Sequence, residues 1–391
     1  MNSKRCLWLI IPFMLTICTV GIVNMITIDK AQSDAENRTL QQRPGIQNIV
    51  NKDYSKLYET YYTDQFIGRD NLLKLYTRIE LAMNKSTIRG HYIINNEWIL
   101  PHKIGKKDST NLSNLAEKLN NIAINLNEQN KDVYFVSTPS KIIALNHLYP
   151  KYSEQGYGME NLDQFISKLD HKNIKTINID KYFSENFNEE KLQSFYFKTD
   201  HHWNGIGAFE GFKNIIANMN YIEKQESDKI LNNYVKAVVK DKLFLGSYNR
   251  NLFSLFSKKE EIPYMYNDNG KEYEYFNYNG NEYTPMEREL LISTEMKLDE
   301  VTYGGAYTYD IPLYKIVNSD APIKKKILII KDSFQTPTTL MFADFFESVE
   351  ILDPRNSIGL TSSNVIEESD PDIVMFMFNS ETFDSMIDIV N

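Results

Sequence analysis

Past residue 18 the chain contains no cysteine, and its two, Cys6 and Cys18, both lie in or beside the first apolar segment. That excludes disulfides, thiolate metal sites and cysteine nucleophiles from the remainder of the 391 residues. A basic stripe is missing too. The net charge is −9 and no long block of one sign occurs, so the phosphate neutralisation that nucleic-acid binding requires is absent. Tryptophan is scarce, 3 residues against 25 Tyr and 21 Phe. Many of the tyrosines fall in polar stretches, which suits half-buried strands first and a carbohydrate-contacting face second. There is no G-x-S-x-G elbow, Walker loop, dinucleotide fingerprint, repeat or low-complexity tract, and no cofactor is expected.

What the chain does have begins at its start. Lys4 and Arg5 precede a nearly unbroken apolar run, and Leu7 to Ile28 is 22 residues. As a helix this is about 33 Å, matching a hydrocarbon core of about 30 Å. The charge order predicts a single-pass signal anchor in the cell membrane, with everything after about residue 30 on the extracytoplasmic side. A cleaved signal peptide fits less well, because the run is long and lacks a small-x-small site. Leu15-Thr16-Ile17-Cys18 is lipobox-like, but Ile17 stands where a small residue is needed. The expected division is 1–29 cytoplasmic stub and anchor, 30–52 stalk and 53–391 catalytic domain.

Residues 53–88 carry helical spacing (Leu57, Tyr61, Phe66, Leu72, Leu75, Ile79) and are expected to pack on the domain that follows. His91 to Leu100 reads as a short strand or hairpin. A βαβ rhythm starts at the helical stripe Leu112, Leu115, Leu119, Ile122 and Leu126, followed by the buried run Val133 to Val136. It continues with a helix at Leu162 to Leu169 and a strand at Ile174 to Ile179. It returns at Ile327 to Ile330, Val349 to Leu352 and Ile373 to Phe378. Such alternation predicts an α/β fold with a parallel sheet, helices on both faces and functional loops at the strands' carboxyl ends. Between the two halves, 225–315 breaks the rhythm. Asn267-Asp268-Asn269-Gly270 and Tyr278-Asn279-Gly280-Asn281 signal hairpins, so this stretch is expected to be a Tyr-rich antiparallel excursion.

Two clusters carry chemistry. In Ile330-Lys331-Asp332-Ser333-Phe334 a serine follows a buried strand, and Thr336-Pro337 looks like a helix start. Ser333 there is exposed for attack, with backbone N–H groups at hand for an oxyanion; taken alone, a serine that merely caps a turn explains it as well. In Thr199-Asp200-His201-His202-Trp203-Asn204, Asp200 and His202 are two apart. In an extended segment they share a side, so Asp200 can orient His202 toward a serine while His201 points away. Asn204 can cap the amphipathic helix that follows. A structural polar turn remains an alternative. No metal is expected, since His91, His102, His147 and His171 show no paired ligand spacing.

Asp200-His201-His202-Trp203 resembles the name-giving motif of the DHHW proteins, relatives of the alginate O-acetyltransferase AlgJ/AlgX group within the SGNH-hydrolase-like superfamily. The resemblance extends over about 33–380 through Glu36-Asn37-Arg38, Val136 to Lys141, Lys331-Asp332-Ser333-Phe334 and Leu352-Asp353-Pro354-Arg355. It implies an SGNH-hydrolase-like (flavodoxin-like) fold and a Ser333–His202–Asp200 triad that passes acetyl to a hydroxyl of an exopolysaccharide or wall glycan. It also implies a membrane-bound O-acyltransferase as partner. Lys141, Arg355 and Trp203 are candidates for contacting the glycan acceptor. Lys331 stands where many relatives have Gly, so the oxyanion hole is expected to differ. The same triad would serve an acetylesterase, and a non-catalytic glycan-binding or assembly protein is the rival of another class.

Overall fold

The computed structural model describes residues 3–33, 36, 38–50, 53–239, 242–256, 260–269, 272–287, 300–307, 311–356 and 359–390. Asn37 and Gly270, named in the expectations above, lie outside them. The chain divides into two compact units, 1–89 with 249–256, and 90–248 with 257–391.

The smaller unit opens with helix α1, Ser3–Ile26. Among the described residues no helix is long and apolar enough to cross a membrane. Helix α1 is 24 residues long and ends at Ile26, two residues before the end of the expected run at Ile28. Its apolar side chains, Phe13, Leu15 and Ile22 among them, are exposed. The stalk is a folded element. Glu36 accepts from Arg38 Nε at 3.0 Å, Arg69 Nη2 at 2.8 Å and Arg89 Nη2 at 2.7 Å, and Arg38 also grips Asp64 with both Nη groups. The helical spacing after 53 gives two helices, Tyr54–Asp64 and Arg69–Ala82. Leu72, Leu75 and Ile79 are exposed there, contrary to the expected packing.

The larger unit is built on an eight-stranded sheet. In chain order its strands are β1 Asp132–Thr138, β2 Lys175–Asn178, β3 Glu274–Tyr278, β4 Tyr283–Pro285, β5 Leu313–Val317, β6 Ile323–Lys331, β7 Phe346–Leu352 and β8 Ile373–Asn379. Their spatial order is β4-β3-β5-β7-β6-β8-β1-β2. The five strands from β7 to β2 are parallel, as the near-continuous apolar runs require of strands buried on both faces. The sheet is nonetheless mixed, because β5, β3 and β4 join its other edge antiparallel. The hairpin excursion therefore extends the sheet itself. His91–Ile94 and Trp98–Pro101 pair as the expected hairpin.

Helix α2, Ser109–Glu128, is capped by Asp108, which accepts from the N–H groups of Thr110 and Asn111. It buries Leu112, Ala116, Leu119, Ala123 and Leu126 in a cluster with Phe135, Leu328 and Phe376. Helix α3, Gly205–Met219, lies in the other large cluster, with Phe212 and Ile215 among Val136, Ile329 and Met375. Residues alternating along β1, β6 and β8 thus feed two cores, one per face. This fixes the strand ends, and with them the crevice at the carboxyl edge.

Candidate active site

The serine side of the site is made by local chemistry. β6 ends at Lys331, and Asp332 takes an extended backbone that lets its carboxylate accept from Phe334 N at 2.9 Å. The other oxygen accepts from Asn379 N at 2.6 Å, tying the turn to the end of β8. Asp332, not Ser333, is therefore the cap, which leaves the serine hydroxyl unspent. A 3₁₀ turn, Ser333–Thr338, follows and passes into Thr339–Phe345. Burial raises the Asp332 carboxyl. Ser333 is the first residue of this turn, where the turn's own bonding leaves the N–H without a partner.

The histidine side is a loop. Trp203 bridges Tyr196, and Asn204 N donates to Phe195 O at 2.7 Å, leaving 198–202 as bends. Asn204 caps α3, accepting from Ile206 and Gly207 N. The His202 Nδ1 to Asp200 Oδ1 distance is 2.6 Å, and Nε2 stands 2.7 Å from Ser333 Oγ. Asp200 Oδ1 also accepts from His202 N at 3.0 Å, and Oδ2 from Ser247 N at 2.6 Å. Burial alone would raise the Asp200 carboxyl. The imidazoles of His201 and His202 beside it outweigh this, with these hydrogen bonds, and hold it well below the usual carboxylate range. An ionised Asp200 fixes the Nδ1–H tautomer and turns the Nε2 lone pair to the serine.

The segment is not extended, and this corrects the expected placing of His201. Its ring lies 3.7 Å from that of His202, its Nδ1 is 2.7 Å from Ser247 Oγ, and Nδ1 is 3.5 Å from Asp200 Oδ1. Both imidazoles crowd the same carboxylate. Burial, then the adjacent His202, pushes the His201 imidazole down, an effect softened by the 35% of its side chain that meets solvent. Tyr303 stacks on His202 with centroids 3.6 Å apart and planes within 5°. Two rings this close cannot share one face, so His202 is held between His201 and Tyr303.

Trp203 is fully buried and its Nε1 donates to Phe334 O at 2.8 Å. It bolts the serine turn to the histidine loop and has no surface to offer a glycan. Lys141 is likewise buried, its Nζ donating to Ile99, Lys198 and Asp200 carbonyls at 3.1, 2.9 and 2.8 Å. Burial pushes its ammonium down to about 7, against the pull of Glu260 and Asp200. Arg355 is 41% exposed and holds Asp353 through Nε at 2.9 Å and Nη2 at 2.5 Å. Asp353 also takes Lys331 Nζ at 3.2 Å, so Lys331 is spent on that pair. Asp200, His201 and His202 each place a ligand atom within 4.8 Å of the others, the only metal-type grouping among the described residues. Those atoms are already committed to one another, to Ser247 and to Ser333. A cleft of about 440 Å³ lined by Pro139, Ile143, Asp180 and Phe183 lies at the ends of β1 and β2, away from the triad.

Sequence reasoning missed Ser247, Glu260 and Tyr303, all in the stretch read as an excursion. One signal was legible. Gly246 approaches Thr199 so closely that a Cβ would stand 2.2 Å from the Thr199 carbonyl oxygen, and a glycine in Leu245-Gly246-Ser247 marks such an approach.

A serine at the end of a parallel strand, facing a histidine and an aspartate two residues apart, defines an SGNH-hydrolase-like domain. Comparison bears this out: residues 95–259 match the family model described as SGNH hydrolase-like domain, acetyltransferase AlgX. The resemblance to the DHHW proteins and their relatives holds. Bacillus cereus PatB1 is similar at 27% identity and TM-score 0.65, over 75% of this chain and 97% of that one. A PatB1 structure with a sulfonyl adduct gives 25%, 0.67, 76% and 97%. A DHHW family protein from Eubacterium siraeum shares the fold at 18% identity and TM-score 0.58, over 78% and 96%. Curated protein sequences return no match.

Proposed function

We propose that the chain is an extracytoplasmic O-acetyltransferase of exopolysaccharide or cell-wall glycan. The observation that carries this reading is the unbroken relay from Asp200 through His202 to Ser333, with links of 2.6 and 2.7 Å. His202 Nε2 takes the hydroxyl proton as Ser333 Oγ attacks the acetyl carbonyl of the donor. The Ser333 N–H faces the oxyanion. Collapse breaks the bond to the donor's leaving group, which receives the proton from His202, and leaves acetyl-Ser333. A sugar hydroxyl then attacks, His202 removes its proton, and the O-acetyl sugar departs as the serine regains that proton. Water in place of the sugar gives the acetylesterase reaction.

Support for the location comes from Lys4 and Arg5 ahead of the apolar run and from the exposed apolar side chains of α1, which suit a hydrocarbon setting or an apolar partner such as a membrane-bound O-acyltransferase. Arg355, with 41% of its side chain exposed, offers a positive charge to an acidic group on the acceptor. The test is hydrolysis of a small activated acetyl ester and transfer to an oligosaccharide by the purified chain. Both activities should vanish together in Ser333→Ala; a variant with undiminished turnover would refute the assignment.

A further inference from the structure

The histidine half of the site stands on bends with little ladder bonding of their own, yet it must hold Asp200 and His202 to within a few tenths of an ångström of Ser333. Beside the Ile99 N–H, which donates to the Lys198 carbonyl at 3.0 Å, the peptide groups of Lys198–Asp200 are taken by two side chains of opposite charge from distant parts of the chain. Glu260 accepts from Lys198 N at 2.5 Å, from Thr199 N at 3.0 Å and from the Thr199 hydroxyl. Lys141 gives its three protons to the carbonyls of Lys198, Asp200 and Ile99. A carboxylate only accepts and an ammonium only donates, so the two divide the loop's N–H and C=O groups between them. Trp98 and Tyr248 close around the ammonium, each ring centroid 5.3 Å away. An ammonium 1% exposed is costly unless every proton is bonded, and simple loop packing would be better served by an apolar residue.

We infer that Lys141 and Glu260 are positioning residues that grip the backbone of Lys198–Asp200 from its two hydrogen-bonding poles and so set the distance from His202 to Ser333. The inference rests on the triad reading above. Lys141 follows β1 through its cap Ser140, and Ile99 belongs to the Trp98–Pro101 strand. The grip therefore ties the bends of the site to two regular elements. Neither residue touches a reacting atom.

The test follows sulfonylation of Ser333 by phenylmethylsulfonyl fluoride in the purified full chain, by peptide mass against time. The wild type should label at Ser333. Lys141→Met and the isosteric Glu260→Gln should each label about 10- to 100-fold more slowly. Their small-ester kcat should fall in parallel, while KM changes less than about twofold, and the pH profile of labelling should be displaced. Lys141→Arg, which keeps the donors, should recover much of the rate. A merely structural role would lower the melting temperature and leave the labelling rate of the folded protein unchanged. Wild-type labelling rates in the folded variants would overturn the inference, and if Lys141→Met does not fold, the labelling rate of Glu260→Gln decides the matter alone. A wild type that forms no Ser333 adduct overturns the triad reading first and this inference with it.

Discussion

The serine turn and the histidine loop meet at two hydrogen bonds, His202 to Ser333 and Trp203 to Phe334, yet they are built by opposite means. The turn is local: a buried strand stops, Asp332 caps the next turn, and Ser333 is left at the edge. The loop is held from afar, by Ser247 on Asp200, Tyr303 on His202, Trp203 on Phe334, and Lys141 and Glu260 on the peptide groups between. The lesson is that the serine's place is set mainly by its own turn, with Asn379 and Trp203 as its two outside ties. The base's place depends on a shell gathered from most of the larger unit.

Substitutions can break that contrast at different points. The largest losses belong to the relay itself. Ser333→Ala and His202→Ala should each lower kcat by about 10⁴-fold or more, and the double variant should be scarcely worse than either, since the two act as one unit. Initial rates with a small acetyl ester check this, and losses that multiply would show the residues acting independently. Next comes the shell. Tyr303→Leu removes the parallel ring from His202 and should cost about tenfold in kcat, the scale of a buried aromatic pair, with an unchanged circular dichroism spectrum. Full activity would mean the stack is only filling. His201→Ala should cost less, about a few fold, because His201 supports the His202 ring without reaching Ser333. Inactivity there, with His202→Ala active, would reverse the assignment of the base.

The same contrast explains what was legible in the sequence. The parallel strands, α2, the Asn204 cap, the serine turn and the Asp200–His202 pairing are near-neighbour patterns, and they could be read. Antiparallel pairing around 274–285 could be read from the hairpin turns, but that these strands extend the central sheet could not, because turn residues fix a hairpin and not the edge it joins. Nor could the place of His201, since an extended segment was assumed where bends occur. Lys141, Arg355 and Trp203 were expected to face a glycan; for Lys141 and Trp203 polarity was visible, but burial by distant residues was not. The helical stripe at Leu72, Leu75 and Ile79 gave helices but not the expected cover, because periodicity reveals a face and not its occupant.

The smallest effect lies outside the relay. Burial lifts the Asp180 carboxyl from 3.8 to about 6, against the Ser380 hydroxyl that donates to it at 2.7 Å. Between those values the folded chain keeps a proton the unfolded chain has shed, so this group's contribution makes stability fall as pH rises from about 4 through 6. Asp180→Asn should flatten that part of the melting-temperature profile while leaving ester hydrolysis at pH 7 nearly unchanged. A profile that keeps its slope would assign the titration to another group.

The central claim is that Ser333, activated by His202, carries the acetyl group. Its most direct measurement is the mass of the Ser333 peptide after rapid acid quench of the full chain with an activated acetyl ester. In the wild type that peptide should gain an acetyl group, displaced by an oligosaccharide acceptor and missing in both Ser333→Ala and His202→Ala. Acetyl found on another residue, or on Ser333 at the same rate without His202, would contradict it.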